Sequence, residues 1–344
     1  MIPTPNRRLV LGLSAATATA FALAACGGNL GAESGTSDGG AESGAGGGSF
    51  PAGPVTLHVG QAAGGSTDRI ARTTAEGLAT ELGVSVPVVN SPGANGALAT
   101  QEVIGMAPDG QNLILLNASL ITITPLALGE DQVPALEELD VLKGLSQDDY
   151  VLVASADSGF TSLEDLKAAE GELTMGTTGV GTGSQLSQAI LFAQAGITGS
   201  EVPFDSGSPA LTAVMGNQVQ VATIQLGEAK PQIDGGTVVP IVVFSQERNT
   251  YLPDAPTAIE SGYEVPVSQF RAIAAPKGLD EEVKSALIAG IDATIGMDTY
   301  REFNEKNMFT PTGIPGEEVV ATWNDLAARY RELTEEHGIS LAAE

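Results

Sequence analysis

The chain has 344 residues, enough for two domains with sizeable cores. It carries 42 acidic against 15 basic residues, a formal charge of −27. That balance argues against nucleic acid, whose phosphates need Lys/Arg patches, and against an electrostatic hold on anionic lipid. One cysteine, Cys26, and two histidines, His58 and His337, exclude an intramolecular disulfide and a Cys/His zinc site.

Residues 1–25 read as an export signal. Arg7-Arg8 give a charged start, and an Ala-rich apolar stretch runs from Leu9 to Ala25. The ending Leu23-Ala24-Ala25-Cys26 resembles a bacterial lipobox, which implies cleavage before Cys26 and a lipid anchor on it. The alternatives are an uncleaved membrane-spanning helix or a buried free thiol. The arginine pair is similar to a twin-arginine signal, although any export signal starts with positive charge. Residues 26–53 are rich in Gly, Ser, Ala and Glu and cannot bury a core, so they form a tether. The expectation is a body held at the outer face of the cell membrane by acyl chains.

The body begins with a strand, Val55–Val59, that runs into Gly64-Gly65-Ser66-Thr67-Asp68. A helix follows over Ser66–Leu82, with Ile70, Thr74, Leu78 and Leu82 at helical spacing and Gly83 as its stop. A helix N-terminus after two glycines presents unpaired N–H groups and partial positive charge to an anion. The same loop reads equally as a tight turn, capped by Ser66 or Thr67 and holding nothing. Val86–Val89 is a second strand, and residues 90–96 open a second helix that reaches Met106. Asn112–Leu116 is a third strand, apolar enough for burial on both faces, with Ala118-Ser119 beyond its carboxyl end. This β-α-β-α-β rhythm implies a parallel sheet whose ligands bind at the strands' carboxyl ends.

Leu139–Leu145 and Tyr150–Ala154 are further strands, and Thr161 with Glu164 forms a capping box at a helix start. Leu173–Met175 feeds a second Gly-rich, hydroxyl-bearing loop, Gly176 to Ser184, ahead of a helix ending at Gln194. Glu201–Phe204 and Gln218–Ile224 flank a helix begun by Ser206-Gly207-Ser208-Pro209. Val238–Phe244 and Gln269–Ala274 are strands, and the tail holds helices at Glu281–Ile295, Thr299–Asn307 and Pro315–His337. The expected fold class is α/β with two lobes. Lobe 1 takes 54–154 and 265–344, lobe 2 takes 155–264, and a ligand cleft lies between them.

Five motifs, in this order, resemble the substrate-binding receptors of tripartite tricarboxylate transporters, also called Bug proteins. They are Ala62-Ala63-Gly64-Gly65-Ser66-Thr67-Asp68, Asn90-Ser91-Pro92-Gly93-Ala94-Asn95-Gly96, Ala107-Pro108-Asp109-Gly110, Thr177 to Ser184, and Leu252-Pro253-Asp254-Ala255-Pro256-Thr257 followed by Glu260 and Gly262. The resemblance covers about residues 53–335. It implies a two-lobed periplasmic-binding-protein fold of the second type. It implies capture of a small carboxylated solute and delivery to a permease with a large and a small membrane subunit. It also implies a site of backbone amides and small hydroxyls: Gly64, Gly65, Ser66 and Thr67 on one lobe, Thr177, Thr178, Thr182 and Ser184 on the other, with Ala118 and Ser119 as floor. Two positions depart from the pattern. Gln61-Ala62-Ala63 stands where many members carry an aromatic, and Gln111 replaces the aromatic after Asp109-Gly110.

Arg271, in the apolar run Phe270-Arg271-Ala272-Ile273, is a candidate ligand contact, because a guanidinium takes a carboxylate bidentately and basic residues are scarce. Alternation would otherwise turn it to solvent or pair it with an acid. Asp68, in a first helical turn, complements the macrodipole rather than facing a ligand carboxylate. Asp205 either accepts from a ligand ammonium or caps a loop. Gln225 either faces the cleft or is a loop amide. Arg69 and Arg72 read as surface, and Trp323 as core.

Enzyme readings fare poorly. Ser184 stands where a dinucleotide loop needs glycine, no Gly-Lys dipeptide marks a phosphate loop, and no Gly-x-Ser-x-Gly elbow is present. The expectation is a monomeric solute receptor with no catalysis, metal or cofactor. The alternative is a surface lipoprotein that presents a carboxylate to a signalling partner. The acidic body repels a dicarboxylate at long range, a field that salt screens within about 10 Å.

Overall fold

The computed structural model describes residues 50–342, so the signal segment, Cys26 and nearly all of the tether lie outside the described residues. The strands are β1 Thr56–Val59, β2 Val88–Asn90, β3 Asn112–Asn117, β4 Leu139–Asp148, β5 Tyr150–Ser155, β6 Leu173–Thr177, β7 Gly199–Pro203, β8 Val221–Gln225, β9 Val238–Val243 and β10 Gln269–Pro276. The α-helices are α1 Ser66–Leu82, α2 Ala97–Ile104, α3 Ala118–Thr122, α4 Thr124–Leu128, α5 Leu163–Lys167, α6 Gly183–Ala195, α7 Gly207–Met215, α8 Leu226–Asp234, α9 Glu281–Gly296, α10 Asp298–Asn307 and α11 Gly316–Glu336.

Two five-stranded sheets share one plan, β2-β1-β3-β10-β4 and β7-β6-β8-β5-β9. In each sheet the fourth strand runs antiparallel to both neighbours. That strand is the one arriving from the other lobe: β4 passes into β5 through Asp149 alone, and β10 returns after β9. The two crossings lie side by side, since Gln269 pairs with Asp148 and the Tyr150 hydroxyl bonds the Gln269 side chain. This is the two-lobed α/β fold that the sequence implies.

Several elements sit differently from the sequence reading. β5 pairs with β8 and β9, so the first crossing falls at Asp149 rather than after Ala154. Its residues are buried throughout, a pattern that reads the same in either sheet. The tail also serves both lobes. On α11, Val319 and Trp323 pack with Leu139 and Phe270 of the first lobe, while Tyr330 and Leu333 lie in the second lobe's core beside Phe192 and Val267. The Tyr330 hydroxyl donates to the Pro266 carbonyl at 3.2 Å, which ties α11 to the returning crossing. The capping box at α5 is displaced by one residue: Ser162 accepts the Asp165 N–H, and Asp165 takes the Thr161 N–H in return. Helix α1 ends as expected at Gly83, which adopts a left-handed φ of 68° and returns its N–H to the Ala79 carbonyl.

Helices α3, α4 and α8 are absent from the sequence reading. The first two are too short to show a period. Pro231 inside α8 removes a backbone donor and hides the helix.

Trp323 is fully buried against the first sheet. Trp323→Ala is expected to lower the unfolding free energy by about 3–5 kcal/mol, read by denaturant unfolding. A loss under about 1 kcal/mol would mean that α11 does not depend on this contact.

Candidate functional site

On the first lobe, α1 opens at Gly65 with no side-chain cap. Ser66 and Thr67 lie inside the helix instead of capping it, and their hydroxyls are held from behind. Ser66 Oγ accepts from Arg271 Nη2 at 2.7 Å. Thr67 Oγ1 accepts from Arg271 Nε at 3.1 Å and donates to Asn117 Oδ1 at 3.1 Å. Asp68 accepts the Gly64 N–H at 2.9 Å and pairs with Arg72 and Asn90. Burial pushes the Asp68 carboxyl up, but the bonds from Arg72, Gly64 and Asn90 together hold it below the usual aspartate value. Gly64 itself is exposed and lies off the cleft.

Arg271 does not line the cleft. It is 0% exposed and ion-paired with Asp148, also 0% exposed, behind the Ser66–Thr67 turn. Strand β10 is buried on both faces from Phe270 to Pro276, so alternation offers Arg271 no solvent. Asp148 also accepts from Ser146 Oγ at 2.9 Å and from the Thr310 N–H at 2.8 Å, and the Phe309 ring lies 5.7 Å from the guanidinium. Burial pushes the Asp148 carboxyl above the usual aspartate range, and these partners, Arg271 first, draw it back.

On the second lobe, Thr182 caps α6 by accepting the Gln185 N–H at 3.3 Å. Ser184 Oγ accepts the Thr178 N–H at 2.7 Å, and Thr177 Oγ1 turns away to Glu201 at 3.2 Å. Burial raises the Glu201 carboxyl, which Gln185 and Thr177 partly offset. Of the residues picked out in sequence, Gly65, Ser66, Thr67, Ser119, Thr178 and Thr182 line the cleft. Gly64, Ala118, Thr177, Ser184 and Arg271 do not; the last three hold the loops that do.

Several lining residues escaped the sequence reading. Gln61, Asn95 and Asn117 face in from the first lobe, Ser206, Gly207 and Glu228 from the second, and Tyr150 with Gln269 from the hinge. Asp205 and Gln225, each left open in sequence, both line it. The spacing of Gln225 and Glu228 is a helix-start signal that was there to be read: Gln225 Oε1 accepts the Glu228 N–H at 3.1 Å.

The lobes are closed on each other. Ser66 donates its N–H to Glu228 Oε1 at 2.6 Å, and both Asn95 Nδ2 and Thr124 Oγ1 donate to the Gly181 carbonyl at 3.0 Å. The innermost space between them is about 40 Å³, and a second pocket of about 340 Å³, sharing Gln61, Asn95, Thr178, Thr182 and Asp205, adjoins it.

The family model described as a tripartite tricarboxylate transporter family receptor matches residues 70–339. Protein BugT of Bordetella pertussis is 30% identical over 244 residues, which cover 68% of this chain and 74% of BugT. Among solved structures, periplasmic binding protein BugD is 26% identical with a TM-score of 0.79, over 86% of this chain and 100% of BugD. MatC from Rhodopseudomonas palustris, with bound malate, is 25% identical with a TM-score of 0.75, over 83% of this chain and 99% of MatC.

Removing Arg271 alone leaves Asp148 buried without its counter-charge. Arg271→Ala is expected to cost about 3–5 kcal/mol of stability. Arg271→Met combined with Asp148→Asn should recover most of that loss in denaturant unfolding. A double-variant loss equal to the sum of the two single-variant losses would show that the two side chains are not coupled.

Proposed function

We propose that this chain, which belongs to the tripartite tricarboxylate transporter receptor family, captures a small carboxylate-bearing solute outside the cytoplasm and delivers it to a permease of large and small membrane subunits. One observation carries the carboxylate. Neutral polar groups from two lobes converge on one cleft: Ser66 and Thr67 at the start of α1, Ser119 at the start of α3, and Thr178 with Thr182 in the loop that leads into α6. The Thr67 and Thr182 hydroxyl protons are committed to Asn117 and the Gly179 carbonyl, which leaves Ser66, Ser119 and Thr178 as hydroxyl donors. Helix N-termini at the carboxyl ends of sheet strands favour an anion through their unpaired N–H groups and partial positive charge. Ser66 Oγ accepts from Arg271, which leaves the hydroxyl's own proton for an outside acceptor. The malate bound in the similar MatC structure supports the same ligand class.

The rest of the reading comes from the sequence. Cleavage before Cys26 and acylation there would place the tether and body at the outer face of the cell membrane, acting as a monomer without catalysis. No helix among the described residues is long and apolar enough to cross a membrane.

A thermal-shift screen of mono-, di- and tricarboxylates against neutral sugars tests the ligand class. A ligand at about one hundred times its Kd should add about 2.7 kcal/mol, visible as a rise of several degrees in Tm. A rise with a sugar and with no carboxylate would sink the proposal. For the anchor, Cys26→Ser is expected to move the protein from the membrane fraction to the soluble fraction. Wild-type protein already in the soluble fraction would remove the anchor from the reading.

A further inference from the structure

The Glu228 carboxylate stands between the two jaws. Its Oε1 takes the Ser66 N–H at 2.6 Å, and its buried Oε2 has no hydrogen-bond partner. Gly207, at the start of α7, lies so close that a Cβ there would displace the carboxylate. Two neighbours are also incompletely paired. Gln225 is 3% exposed and lines the cleft; its Oε1 is committed to the start of α8, and its Nε2 has no partner. Gln61 donates through Nε2 to the Asn95 carbonyl at 3.3 Å, and its Oε1 is unpartnered. The open groups on these three cleft residues are therefore two acceptors, one on a carboxylate, and one donor.

The charges point the same way. Asp205 and Glu228 both line the cleft, and among the described residues no lysine or arginine does. Arg271, the basic residue nearest in role, is ion-paired with Asp148 behind the loop. A carboxylate can only accept hydrogen bonds. A dicarboxylate would answer Gln225 Nε2 and the hydroxyl donors of the cleft, but would bring a second negative charge to Glu228 and Asp205 with nothing to donate to them. An ammonium brings three donors and a counter-charge.

We propose that Glu228 is the specificity residue of this cleft and that it selects a zwitterionic solute, one carboxylate plus one ammonium, over a dianion of equal length. The inference rests on the receptor reading above and keeps its carboxylate. That carboxylate faces the Thr178 hydroxyl and Gln225 Nε2. The ammonium faces Glu228, with Gln61 Oε1 and Asp205 beside it. Glu228 acts by contact with the solute, so its removal changes which solute binds and not only how tightly the lobes close.

Calorimetry on the purified protein tests this with matched four-carbon probes: butanoate, butanedioate, 2-aminobutanoate and 4-aminobutanoate, then the five-carbon set. The wild type is expected to bind an aminocarboxylate at least about tenfold more tightly than the dicarboxylate of the same length. Glu228→Gln keeps the size and an acceptor but loses the charge, and should reduce that preference about tenfold or more. Asp205→Asn, at an exposed position, should move the preference the same way by about threefold, and stands in if Glu228→Gln does not fold. A wild-type preference for the dicarboxylate, or a preference unmoved in both variants, overturns the role of Glu228 while leaving the receptor reading intact. Failure of every carboxylate to bind defeats the receptor reading and this inference with it.

Discussion

The ion pair between Arg271 and Asp148 is the constraint on which the rest of the structure depends. Both side chains are fully buried, and desolvating two charges costs more than it returns unless every remaining donor and acceptor is met. Here the pair does meet them, with Ser146 and Thr310 on the carboxylate and Ser66 and Thr67 on the guanidinium. What the pair achieves is position more than stability. Asp148 is the last residue before the chain crosses between lobes, and Arg271 lies three residues into the strand that comes back, counting Gln269 as the first. One interaction thus joins both crossings to the hydroxyls of the first jaw.

The two sheets make that arrangement general. Each accepts one antiparallel strand from the other lobe, and each presents its helix starts toward the shared cleft. Closure then requires groups near those helix starts to find acceptors on the opposite side. Gly181 supplies a carbonyl to Asn95 and Thr124, and Glu228 supplies a carboxylate to the Ser66 N–H. The hinge itself is nearly rigid in the closed state, since Tyr150 and Gln269 bond across it and α11 packs on both cores. Opening must therefore break a small set of polar contacts across the cleft while the tail helix follows both lobes.

Sequence conveyed the strands well because the β1, β3, β5 and β9 runs are apolar or β-branched and bounded by turns. It conveyed both Gly-rich loops, because glycine and hydroxyl residues between a strand and a helix have few other uses. It did not convey which hydroxyls face the cleft. Thr177 and Thr178 are adjacent, yet one turns to Glu201 and the other lines the site, a distinction set by tertiary packing. Arg271 looked like a ligand contact because its partner, Asp148, lies 123 residues away and cannot be identified from local pattern. Glu228 stayed hidden for a different reason: Pro231 obscures α8, and without α8 there is no helix start to aim the carboxylate into the cleft.

The placement of charge bears on how so acidic a chain would hold the anion proposed for it. A guanidinium facing the cleft would offer a strong, long-range attraction, but here its charge is balanced by Asp148 and its hydrogen bonds are committed to orienting Ser66 and Thr67. The attraction that remains comes from helix starts and hydroxyls, whose fields fall off within about one turn. Such a site discriminates by contact and not by net charge, so the far field of the acidic body matters little once the lobes close. The acidic side chains that line the cleft, Glu228 and Asp205, are then the charges a solute would meet, and both are negative. Neutral donors can hold one carboxylate, and the acidic side of the cleft leaves the other end of the solute to be something other than a second one.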